Sequence, residues 1–144
     1  MKKFLLLSGI LAVFLDWGCE KRFTLHDNLP LNDTVVIANF ETRYNHTEKI
    51  SLQMDSVLSD SRCPSNVVCV WEGNAAVRFF FRADSVLTEF VLNTLGGIQF
   101  RSDTVISGYQ IELLGLSPYP EDPGEILQKE YSSMIMVKVS PGSP

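Results

Sequence analysis

The sequence predicts an all-β protein, an antiparallel β-sandwich or open barrel of about seven short strands with one local disulfide. Three observations predict it. Apolar and polar residues alternate with period two through several short segments, the pattern of strands with one face buried. Clusters of Gly, Pro, Asn and Asp separate those segments. No stretch beyond residue 20 carries the three-to-four spacing of an amphipathic helix.

The chain starts with a different kind of segment. Met1, Lys2 and Lys3 form a positive end, and residues 4–15 are an unbroken apolar or small run. Twelve residues as a helix reach about 18 Å, short of the roughly 30 Å hydrocarbon core. The pattern is that of a secretory signal over residues 1–18. Cys19 follows directly, preceded by the small residue Gly18, which resembles the bacterial lipobox. There the thiol is acylated and the cysteine becomes the new N-terminus, and several acyl chains on one residue give firm anchoring. Asp16 stands where that pattern usually has Leu, and Leu15 sits one place early. Cleavage nearby, or a free Cys19, are the alternatives.

Residues 19–33 show no sustained period and include Pro30, so they read as a tether into a domain spanning 34–140. Segment 34–44 is read as one strand with Val36, Ala38 and Phe40 on one face. Segment 50–58 sets Ile50, Leu52 and Met54 against Ser51, Gln53 and Asp55. Segment 75–82 sets Val77, Phe79 and Phe81 against Arg78 and Arg82, and 87–94 points Phe90 and Leu92 inward with Glu89 outward. Residues 103–106 form a short piece ended by Gly108. Segment 109–116 starts with Tyr109, Ile111 and Leu113, then shifts to Leu114 and Leu116, which predicts a β-bulge near Leu113 or Gly115. Three prolines between 118 and 123 mark an irregular loop, 125–129 a helical turn, and 132–139 a closing strand with Ile135, Val137 and Val139 alternating.

The densest signal is the run from Asp60 to Ala75, DSRCPSNVVCVWEGNA. Three cysteines in an exported chain leave one unpaired. Lipidation of Cys19 removes the odd one, and Cys63 and Cys69 then pair as a structural bridge. A redox pair is usually spaced by two residues at a helix start, whereas five residues separate these two. Trp71 is expected to pack over the bridge as core. Exposed beside a rigid loop, it becomes a binding anchor instead.

That run, continued to Phe79, and the segment YQIELLGLSPYP from Tyr109 to Pro120 resemble a family of small Bacteroidetes lipoproteins with no assigned activity. The shared pattern is DSRCP, a few residues, CxWxGxAxV, and a later strand ending in PYP. Glu72 stands where the pattern suggests Ala. The resemblance implies an envelope address and an all-β fold, and no activity. Asp–hydroxyl–Val triplets at Thr34, Ser56, Ser85 and Thr104 are similar to the O-glycosylation sequon of exported Bacteroidetes proteins. The plainer account is that such pairs start strands and turns.

Composition narrows the function classes. Hydrophobic residues make up 45% and charged residues 20%, as in ordinary globular domains. The formal charge is −5, and losing Lys2, Lys3 and Asp16 with a signal leaves about −6, which argues against a nucleic-acid partner. No metal or cofactor motif is present, and neither His26 nor His46 has ligand spacing. His46 and Ser61 form no recognisable nucleophile arrangement, and Glu121 and Asp122 read as loop charge. The reading is a non-enzymatic binding or accessory module, lipid-anchored through Cys19 and facing an envelope protein or glycan. Its surface would comprise Asn66, Trp71, Glu72 and Tyr119. A hydrolase with a loop-built site and a protease-inhibitor-like module presenting the Cys63–Cys69 loop are the alternatives.

Overall fold

A computed structural model describes residues 28–140, so the expectations for the signal, Cys19, His26 and most of the tether lie outside the described residues. Among the described residues eight strands form two four-stranded antiparallel sheets, and the sheets do not close into a barrel. In chain order they are β1 (Thr34–Ala38), β2 (Thr42–Asn45), β3 (Ile50–Asp60), β4 (Ala75–Ala83), β5 (Val86–Asn93), β6 (Asp103–Ile106), β7 (Tyr109–Ser117) and β8 (Ser132–Val139). One sheet runs β2-β3-β4-β5 and the other β1-β8-β7-β6.

The described residues carry one strand more than the seven or so expected, and the reason is local. Segment 34–44 is two strands, because Phe40 takes a positive φ of 67° and turns the chain from one sheet to the other. The inward face expected of β1 is also reversed. Ile37 is fully buried, whereas Val36 and Phe40 are exposed. The run TVVIANF has apolar residues in both phases, so alternation alone does not choose between them. The predicted bulge lies between Leu113 and Gly115 in β7, and after it Leu116 points inward while Leu114 faces solvent. The helical turn is a 3-10 turn at Gln128–Glu130.

Between the sheets Leu52, Met54, Val77, Phe79, Phe81 and Leu92 meet Ile37, Ile111, Leu113, Ile135 and Val137, each at most 4% exposed. Burial of such side chains contributes about 1.5–3 kcal/mol each. Phe81 of β4 meets Tyr109 of β7 edge-on at 5.7 Å between centroids, joining the two sheets.

The first described residues belong to the domain. Leu29 is fully buried, its N–H donates to the Tyr44 carbonyl (2.8 Å), and the Asn32 N–H donates to Val137 (2.8 Å). Residues 28–33, expected to be tether, therefore pack as part of the domain. This entry segment lies with the β2–β3 and β4–β5 turns, since Leu29 meets Tyr44 and Asp84 meets Lys49. β3 and β4 run from that entry pole to the opposite one. There, at the loop pole, the connections 61–74 and 118–131 gather.

Candidate binding surface

β3 and β4 continue pairing beyond their last ladder residues. The Ser61 N–H donates to the Asn74 carbonyl (2.8 Å) and the Cys63 N–H to the Glu72 carbonyl (2.9 Å). Gly73 makes this possible: its φ is +74°, and a β-carbon there would stand 1.8 Å from the Ser61 carbonyl oxygen. The extended hairpin brings Cys63 and Cys69 to a Cα separation of 6.0 Å, and their sulfurs are bonded. Within the closed loop, the Val67 N–H donates back to Pro64 (3.2 Å).

Arg62 fixes the loop base from inside. Its Nε and Nη2 donate to the two Asp60 carboxylate oxygens (2.9 and 2.6 Å), and Nη1 and Nη2 donate to the carbonyls of Leu116 (2.6 Å) and Pro118 (2.8 Å). The Tyr119 ring covers the guanidinium at 5.1 Å. Tyr131 donates its hydroxyl proton to Asp60 Oδ2 (3.0 Å). Burial by itself would raise the Asp60 pKa. The hydrogen bonds and charge of Arg62, with the Tyr131 hydrogen bond, outweigh it and hold the carboxyl below its ordinary value. Tyr131 is pushed up to about 12, first by desolvation and then by its bond to Asp60.

The proline-rich loop docks on this frame. The Ser65 and Asn66 N–H groups donate to the Pro120 (3.0 Å) and Glu121 (3.2 Å) carbonyls, and the Asn66 amide meets Asp122. Gln128 ties the same region to β3, exchanging hydrogen bonds with the Val57 backbone N–H (3.0 Å) and carbonyl (2.8 Å). A cleft of about 350 Å³ remains between the two segments, floored by Asp60, Arg62, Gln128 and Tyr131. A second hollow of about 250 Å³ lies between Glu72, Leu95 and Tyr119.

The closed loop turns several apolar side chains to solvent. Val68 and Val70 are fully exposed, and Val67, Trp71 and Tyr119 largely so. The expectation that Trp71 packs as core is therefore corrected: it is 56% exposed. The reason is that the hairpin extension spends residues 61–74 on a projecting loop above the sheets, and Leu116 and Tyr131 fill the end of the core instead. Of the four residues expected to form a surface, Trp71 and Glu72 are exposed, Tyr119 lies over Arg62, and Asn66 clamps the two loops together. The sequence reading missed Val68 and Val70, although VVCVW leaves no polar face for a buried strand to show solvent. It also missed Arg62 and Gln128, whose long-range partners lie 54 to 89 residues away.

The remaining expected residues are dispersed. His46 lies in the β2–β3 turn at the entry pole, and Ser61 is at the loop pole, donating its hydroxyl to the Asn74 carbonyl (2.9 Å), so the two do not meet. Thr34 and Ser85 are exposed, at the start of β1 and in the β4–β5 turn. Ser56 is half-buried in β3 with its hydroxyl on Asp55 (2.9 Å), and Thr104 is half-buried in β6. No group of three or more His, Cys, Asp or Glu among the described residues is placed to hold a metal ion. No protein-family model matches the chain, and no curated protein or solved structure shows significant similarity to it.

Proposed function

We propose that the protein is a non-enzymatic cell-envelope lipoprotein, anchored through Cys19, whose β-sandwich holds out the disulfide-closed loop as a protein-binding surface. The observation that carries this reading is the full exposure of Val68 and Val70 beside a half-exposed Trp71 on a covalently closed loop. Apolar side chains clustered at a rigid projection favour association, since covering them recovers hydrophobic free energy at little cost in loop ordering. Trp is moreover the side chain most often found as an interface anchor.

The address rests on the signal-like N-terminus, the lipobox resemblance and the pairing of the other two cysteines. A clickable fatty acid should label the protein in cells and fail to label a Cys19→Ala variant. An unlabelled wild-type protein removes the anchor from the account. Binding is tested by affinity capture from the protein's own membranes. The triple change Val68→Ser, Val70→Ser, Trp71→Ala should abolish the captured partner. The control pair Leu87→Ser, Val105→Ser, exposed on the strands, should retain it. Capture unaffected by the triple variant ends the proposal. The same closed, exposed loop also favours a protease-inhibitor reading, which titration against envelope proteases separates from simple docking.

A further inference from the structure

The loop pole has a charge as well as an apolar centre. Residues 60–74 and 118–131 contain six acids, Asp60, Glu72, Glu121, Asp122, Glu125 and Glu130, against two cations, Arg62 and Lys129. Arg62 is buried and bound to Asp60, so neither contributes free charge. Glu72, Glu121, Asp122 and Glu125 are all exposed. Glu72 directly follows Trp71, Glu121 and Asp122 sit against Asn66 of the closed loop, and Glu125 lines the cleft beside Pro64, so exposed carboxylates outnumber Lys129 in an acidic collar at this pole.

The pole also has a direction. The chain enters the domain at residues 28–32, tied to Tyr44 and Val137 at the entry pole. β3 leads from there to the loop pole through 11 residues, roughly 33 Å at strand rise. A domain tethered by its N-terminus therefore presents the collar and its apolar centre away from the tethering membrane.

We propose that the occupant of this pole is a protein with an apolar groove rimmed by Lys and Arg, approaching from the side away from the anchor. The inference rests on the loop being the binding surface and adds what fits it. An apolar plug collared by carboxylates is repelled by anionic lipid and by acidic proteins, and steered toward a basic rim. The apolar centre supplies the lasting contact, and the collar supplies approach speed and selection, which salt weakens over a Debye length of about 8–10 Å.

The test uses a displayed random-peptide library selected on the immobilised mature protein, with phosphatidylglycerol vesicles as a second probe. Enriched peptides should carry aromatic or aliphatic residues flanked by Lys or Arg. A synthetic peptide of that kind should bind more weakly as salt rises, and lose binding to the Val68→Ser, Val70→Ser, Trp71→Ala variant. The change Glu72→Lys, Glu121→Lys, Glu125→Lys should slow its association at low salt by about tenfold or more. All six positions are solvent-exposed, and circular dichroism of each variant should match the parent. Peptides that depend on the loop but are neutral or acidic overturn the basic partner and leave the binding surface standing. Basic peptides indifferent to the loop variant overturn both. Vesicle binding that requires the loop overturns the protein partner.

Discussion

Every nitrogen of the Arg62 guanidinium is occupied, and its side chain is 5% exposed. Its two carbonyl acceptors, Leu116 near the end of β7 and Pro118 just past it, lie 54 and 56 residues from Arg62, so one side chain sets the spacing between the two loops. Removing one member of a buried ion pair leaves the other uncompensated, at about 3–5 kcal/mol. Arg62→Ala should lower the urea midpoint by that equivalent, and Arg62→Lys should recover only part, because an ammonium cannot span a carboxylate and two carbonyls. The network also has a pH signature. Asp60 has a folded pKa below its unfolded one, so its contribution is full above about pH 4 and lost as pH falls through the folded value. Tyr131 is raised to about 12, so its contribution is full below about pH 10 and lost as pH climbs toward the folded value. Urea midpoints should be level between these limits, and Tyr131→Phe should shrink the alkaline fall. A midpoint unchanged by Arg62→Ala contradicts this account of the frame. None of it is visible in DSRCP alone, since the acceptors are backbone carbonyls that only folding brings near.

At the scale of elements, strands with a clean phase were legible and strands with two possible phases were not. In β3 and β4 the polar partners Ser51, Gln53, Arg78 and Arg82 mark the outer face, and Leu52, Met54, Phe79 and Phe81 are buried as alternation requires. β1 offers Val35, Val36 and Ile37 in a row, and packing rather than pattern decides which turn inward. The break at Phe40 sends β1 and β2 to different sheets without any Gly or Pro to announce it. The disulfide pairing was legible from spacing and count. The projection of its loop was not, because it depends on Gly73 letting the hairpin run two rungs further. A seven-residue ring contributes about 2 kcal/mol in the chain-entropy model. Cys63→Ser with Cys69→Ser should therefore cost about that much and leave the sheets folded. Hydrogen exchange should quicken at the Cys63, Ser65 and Asn66 amides while the β3, β4 and β7 amides stay protected. Loss of protection throughout β3 contradicts the separation of loop from sandwich.

For the whole molecule, the two sheets supply a closed core, and the connections at one end supply the surface. The all-β class follows from period-two patterning, whereas the meeting of loops 61–74 and 118–126 is a long-range fact that no local signal carries. The same arrangement gives the domain polarity, with the chain entering at one pole and the apolar loop leaving at the other. The central claim is that this loop, rather than a strand face, is where the protein is met. Photo-crosslinking residues placed singly at positions 68, 70, 87 and 105 in intact cells compare exposed apolar sites on the loop with those on β5 and β6. The account predicts one discrete protein adduct from positions 68 and 70, and none from 87 and 105. Adducts from 87 or 105 with none from the loop contradict it.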